Sequence, residues 1–240
     1  MPFNFLLTDQ KTLRLVSRLN LRATLYRSLI EEEIVDLVGL DDSWVEANQE
    51  FLLNGLTLDN YLDLNFLSVE DFRFLVRKEE SLRRFAEYHF SSGLEEYFLK
   101  SKELRDQVVY SLIRVHDPAL IREIWIRLEE NEMTFAQASS AFGEGPEVRH
   151  NGQYGPMSVG ALQPAELASI VRNLKPGQLM KPRQLGEWHL IIRLEQLLPA
   201  RFDGEMSSML LFEQLNQLID ERVARLIADE TPEPLNFEPA

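Results

Sequence analysis

The sequence predicts a mainly helical protein with one α+β domain set inside it. Three observations lead there. Residues 1–105 carry apolar positions at helical spacing, with Leu15, Leu19, Leu25, Leu29 and Ile34 recurring on either side of Asn20. Two short apolar stretches, VVYSLIRV from Val108 and WHLIIRLEQ from Trp188, read as strands, and helical runs and a glycine-rich loop lie between them. Near the C-terminus, Leu211, Leu215 and Leu218 form one apolar stripe, and Leu215, Ile219, Val223 and Leu226 overlap it. A helix so apolar on one side needs a partner, and the N-terminal helices are the candidate. The expected division is therefore a helical region at 1–105, an α+β domain at 106–199, a returning helix at 200–229 and a disordered, proline-rich acidic tail at 230–240.

Local signals place the elements. Ser43-Trp44-Val45-Glu46 reads as a capping box, in which the serine oxygen satisfies an orphan amide, and that helix is expected to end at Asn54-Gly55. Ser68 to Asp71 and Ser92 to Glu95 read as further helix starts. After the first strand, Asp117 is placed to cap a helix and Pro118 suits its first position. Thr134 is placed to cap the short helix TFAQASSAF. A weak strand is expected around Gln153 to Met157. The helix QPAELASIVRNL follows, closed by the turn Lys175-Pro176-Gly177 before the second strand.

Composition narrows the function. The formal net charge is −14, which disfavours phosphate backbones and anionic membranes as partners, because both attract clustered Lys and Arg. Residues 106–199 hold nine Lys/Arg and eleven Asp/Glu, so most of the excess acid lies in the helical parts. There is no cysteine, which excludes disulfides, thiolate catalysis and cysteine-based zinc sites. No stretch approaches the roughly 18 apolar residues of a membrane span. The N-terminal MPFNFLLTDQKTLRL lacks a basic region before its apolar run and a small-residue cleavage site. It reads as part of the folded protein, which makes the cytoplasm the expected location.

FGEGPEVRHNGQYG, residues 142–155, contains four glycines and a proline. A phosphate cradle wants a strand before the glycines and a helix directly after them. Here a helix precedes, Pro146 and Glu147 follow, and Glu144 sits between two glycines, so that reading is rejected. The four histidines, His89, His116, His150 and His189, show no metal-ligand spacing, and no cofactor is implied. No G-x-S-x-G elbow supports a serine hydrolase.

Asn151-Gly152-Gln153-Tyr154-Gly155, then Leu174-Lys175-Pro176-Gly177 through Pro182, then Trp188-His189-Leu190-Ile191-Ile192 occur in an order that resembles the parvulin-type (PpiC/rotamase) peptidyl-prolyl isomerases. That family shows a G-G-D-L-G segment, an L-x-P-G-x-x-S-x-P stretch and a closing aromatic-His-Ile-Ile strand. The helical flanks resemble the plan of SurA-like chaperones, with short cyanobacterial-type SurA homologues the nearest likeness. The resemblance implies a parvulin-like domain inserted in a mainly helical SurA-like chaperone module, with the glycine loop beside a substrate groove.

Carried over residue by residue, the resemblance implies a thinned polar site. His189 matches the family's second histidine, with one residue missing between Pro182 and His189. The first histidine falls at Ser111, whose hydroxyl is expected to hydrogen-bond to His189. The family's Cys/Asp position falls on Gly145, with Glu144 the nearest acid. The proline pocket falls on Met157, Leu162 and Leu167, with Trp188 beside them. The implied function is a prolyl cis-trans isomerase and folding chaperone for unfolded or exported polypeptides, with weak activity or none on short peptides. The alternative is a non-catalytic peptide-binding chaperone or secretion adaptor that uses the same groove.

Overall fold

The computed structural model describes residues 10–238. The sequence reading of residues 1–9 and of the last two tail residues lies outside the described residues. The chain divides into two compact units. One is helical and is built from α1 (Gln10–Arg18), α2 (Arg22–Val38), α3 (Asp42–Asn48), α4 (Glu50–Leu53), α5 (Leu58–Asn65), α6 (Val69–Phe90) and, from the far end of the chain, α11 (Gly204–Ile227).

In the helical unit α2, α6 and α11 pack on one another. Ile30 and Ile34 of α2, Phe72 and Phe85 of α6, and Leu210, Leu215 and Ile219 of α11 are almost fully buried. Ion pairs border this core. Arg27 of α2 reaches Asp220 of α11 at 2.9 Å, and Arg222 lies 3.7 Å from Glu33. Burial lowers the pKa of Arg222, with the Glu33 carboxylate opposing that shift.

Two local expectations need correction here. The cap of α3 is Asp41, two residues before Ser43. Its carboxylate accepts from the Trp44 N–H at 2.9 Å and from the Ser43 hydroxyl at 2.7 Å, so the stronger acceptor starts the helix. The tail is also seated over residues 230–238. Phe237 packs against Phe85 and Tyr88 of α6, with ring centroids 6.3 and 5.2 Å apart, and the His89 Nε2 lies 2.8 Å from the Asn236 carbonyl. Its polar composition hid one aromatic anchor.

The second unit runs Glu95–Phe202. It therefore includes all but the first residue of α7 (Leu94–Arg105), which the sequence division gives to the helical region. Phe98 of α7 packs on Phe202 at 5.5 Å, Glu103 pairs with Arg172, and the Asp106 carbonyl accepts from the Val159 N–H at 2.9 Å. After α7 come β1 (Gln107–Val115), α8 (Pro118–Glu129), α9 (Phe135–Phe142), a 3-10 turn over Pro146–His150, β2 (Gln153–Ser158), α10 (Ala165–Arg172), β3 (Arg183–Leu185) and β4 (Trp188–Leu198). Asp117 and Thr134 cap α8 and α9.

The strands form an antiparallel sheet in the order β2-β1-β4-β3. Its two faces bury different residues, as the period-two alternation of strands requires. One face, called here the front, sets Tyr110 and Leu112 of β1 and Leu190, Ile192 and Leu194 of β4 against Leu167, Ile170 and Val171 of α10. The back sets Ile113, Val115 and Ile191 against α8 and α9.

Candidate functional site

The front face carries a cavity of about 320 Å³, a size suited to a small ligand group. Its apolar wall includes Leu112, Pro164, Leu167, Leu185, Trp188 and Leu190, and Arg114, Gln163 and Glu166 supply polar groups. Each strand residue in this lining follows from alternation. Leu112 and Arg114 are two apart on β1, Trp188 and Leu190 two apart on β4, and Leu185 of β3 is the register partner of Trp188.

Arg114 is held from behind by Glu147, whose side chain is fully buried. Glu147 Oε1 accepts from the Arg114 backbone N–H at 3.0 Å. Its Oε2 lies 2.9 Å from Arg114 Nε, an ion-pair distance at which the N–H is not aimed well enough to count as a hydrogen bond. The glycine-rich loop makes this contact possible. A Cβ at Gly145 would lie 2.2 Å from the Glu147 carboxylate and 2.7 Å from Arg114 Cδ. Further on, Gly155 takes φ +104, and a Cβ there would meet the Val108 carbonyl oxygen at 2.3 Å. The glycines let the loop lie against β1.

Beside the cavity, the His116 ring lies against Trp188 with centroids 3.9 Å apart, and Glu144 bonds both to His116 Nδ1 and, at 3.0 Å, to its backbone N–H. Those hydrogen bonds hold the Glu144 carboxyl below the usual carboxylate range. Deeper in, Tyr110 stacks on Tyr154 at 5.5 Å, and burial pushes the Tyr110 phenol up to about 12. Tyr154 is raised by burial too.

The residues named from the sequence separate into two groups. Leu167 and Trp188 line the cavity, Leu162 is buried in the front core, and Met157 packs at that core's edge in register with Val108 of β1. Glu144 sits at the rim with His116. His189 and Ser111, by contrast, are on the back. His189 shares the parity of Ile191, while Leu190, one residue on, faces the cavity.

The expected bond from Ser111 to His189 is not formed. Ser111 pairs with Arg193 across the sheet and His189 with Val115, which sets them four residues, or about 13 Å, apart along the strands. Ser111 instead donates to Glu195, which also takes Arg193 at 2.9 Å.

A sequence signal for this existed. The family motif has its histidine immediately before the Ile-Ile pair, and in this chain that place is Leu190. Reading His189 as the match required the missing residue after Pro182, and a one-residue slip moves a side chain to the opposite face of a sheet. Arg114 and His116 were also missed as site residues. Their signal was the alternation Leu112, Arg114, His116, with a charged residue near the end of an apolar strand. Among the described residues no group of three or more His, Asp or Glu is placed to hold a metal ion. Nor is any described helix long and apolar enough to cross a membrane.

No family model and no curated protein sequence matches this chain. Solved structures do. The peptidylprolyl isomerase PrsA from Bacillus cereus aligns over 94% of this chain and 88% of its own, with 17% identity and a TM-score of 0.50. PrsA from Bacillus anthracis aligns over 88% and 99%, with 17% identity and a TM-score of 0.47. A structure from a study of PEB4 and the periplasmic protein Cj1289, SurA-like chaperones of Campylobacter jejuni, aligns over 81% and 87%, with 15% identity and a TM-score of 0.38. The chain has the fold of the Bacillus cereus PrsA protein, with a small antiparallel sheet domain inserted in the sequence of a helical unit.

Proposed function

We propose that this chain is a folding factor that holds extended, proline-containing polypeptide segments in the front-face cavity, with prolyl isomerisation weak or lost. The observation that carries the reading is the character of that cavity. It offers an apolar wall for a prolyl ring, with no histidine among its described lining residues. Binding a proline segment needs the wall and a few donors. Catalysis needs more, because the amide rotation barrier is about 18–20 kcal/mol and the protein must favour the twisted amide over both planar forms.

Arg114, Gln163 and the Trp188 indole are the side-chain donors among the lining residues, and the Arg114 charge is already engaged by Glu147. Losing one well-placed donor at a transition state costs on the order of a hundredfold in rate. The peptidylprolyl isomerase activity in the name of the Bacillus cereus protein supports the general class. The lining of this chain's cavity favours binding over catalysis within that class. The same groove would serve a non-catalytic chaperone or a secretion adaptor.

A second reading has one observation behind it. His116 lies on Trp188, which lines the cavity, and is oriented by Glu144. Residual catalysis would then depend on His116. NMR exchange spectroscopy on a panel of X-Pro peptides tests both readings. The expected result is peptide shift changes that Leu167→Ala removes, with cis/trans exchange little faster than in free peptide. Fast exchange lost in His116→Ala would favour the second reading, and absence of binding by every peptide would defeat both.

A further inference from the structure

The helical unit turns apolar side chains outward along α4, α5 and the start of α6. Phe51 is 59% exposed, Leu64 67% and Phe66 97%. The small core beneath them is complete without them: Val45, Leu53, Phe72 and Val76 are buried, with Trp44, Tyr61 and Leu62 against them. Phe66 is the decisive residue. It caps α5 in the left-handed conformation, with φ +56. The same position after α2 is Gly39 and after α4 is Asn54, residue types that accept this backbone readily. A bulky aromatic does so at a cost, and at this exposure it gains almost no packing inside the chain in return. Folding does not account for Phe66, and a partner that covers it does.

Charge identifies the partner. Between Arg27 and Arg73 the chain has twelve Asp and Glu and no Lys, Arg or His. Some of these carboxylates are spent inside the fold, as Glu31, Glu33, Asp42 and Glu70 are in ion pairs. Glu46, Glu50, Asp59 and Asp63, close in sequence to Phe51, Leu64 and Phe66, have no ion pair among the described residues. A second copy of this acidic chain would meet like charge on this surface, and an anionic membrane would be repelled.

We propose that this α4–α5 arm docks a basic amphipathic polypeptide segment, whose apolar side chains cover Phe66 and Leu64 while its Lys and Arg meet the carboxylates of α3 to α5. The site lies in the helical unit and does not depend on the reading of the sheet cavity.

The test uses the full chain and a labelled Leu/Lys amphipathic peptide of about twenty residues, followed by fluorescence anisotropy against rising salt, which screens exposed charge. Phe66→Asn suits the left-handed backbone, so this variant should fold at least as stably as the parent. The expected result is binding that weakens about tenfold in Phe66→Asn and again in Asp59→Asn/Asp63→Asn, falls with salt, and is absent for a Leu/Glu peptide. Equal binding by the Leu/Glu peptide, or no loss in Phe66→Asn, would overturn the proposal. So would a concentration-dependent dimer, or adsorption to phosphatidylcholine vesicles, that Phe66→Asn abolishes. These results would assign the surface to a second copy or to lipid.

Discussion

Replacing Glu147 with alanine should unfold the sheet unit at markedly lower denaturant. The side chain is fully buried, and Arg114 keeps 26% of its own side chain exposed. Removing the carboxylate leaves the Arg114 N–H without its 3.0 Å acceptor and strands a guanidinium that is mostly out of water. Breaking a buried pair from one side costs about 3–5 kcal/mol. Because Arg114 is partly hydrated, the cost falls at or just below the bottom of that range, about 2–3 kcal/mol. With a urea slope of roughly 1–1.5 kcal/mol per molar for a unit of this size, the midpoint should fall by about 2 M. Tryptophan fluorescence in a Trp44→Phe background follows this unit, since Trp188 lies 5.8 Å from Arg114 and Trp125 is on α8. Glu147→Gln retains the acceptor and should lose less. A double-mutant cycle with Arg114→Ala should show coupling of at least about 1 kcal/mol. A midpoint shift below about 0.3 M, or strictly additive variants, would refute the claim that this pair fastens the loop to β1.

Three further outcomes follow from the same contacts. Tyr110 should ionise only near pH 12, against about 10 for a free phenol; because the folded value is the raised one, its stabilising contribution is complete below about pH 10 and is lost as pH rises towards 12. Ultraviolet titration of the parent against Tyr110→Phe reads this directly. Gly155→Ala forces a side chain into φ +104 with 2.3 Å to the Val108 oxygen and should destabilise the chain by well over about 1 kcal/mol in thermal unfolding. Phe237→Ala removes the tail's contacts with Phe85 and Tyr88, should cost about 1–2 kcal/mol, and should make residues 230–238 readily cleaved in limited proteolysis.

What the sequence disclosed and what it withheld separate along physical lines. The strands and helices of the sheet unit were readable because each rests on a local run or cap: VVYSLIRV and WHLIIRLEQ are short apolar stretches of the kind a sheet covered on both faces buries, and Asp117 and Thr134 cap as their types suggest. Leu167 and Trp188 could be placed at the cavity from a motif in the right order. The face of His189 could not be read safely, because it depends on a register in which one residue changes everything, and the motif itself was one residue short. The Arg114–Glu147 pair joins positions 33 apart through a loop, and no local pattern encodes it. Likewise Phe98 draws α7 to Phe202 through a contact that neither segment announces. Phe66 shows the opposite limit. Its residue type was visible, but its left-handed backbone and its exposure belong to the structure.

The most direct test of the account is methyl NMR of the leucines in the full chain, titrated with an extended X-Pro peptide, in the parent and in His189→Ala. The expected result is saturable shifts at Leu112, Leu167, Leu185 and Leu190 that are the same in both proteins, because the cavity lies on the face of the sheet opposite His189. Shifts confined to residues around His189 and Ile191, or loss of peptide binding in His189→Ala, would contradict it.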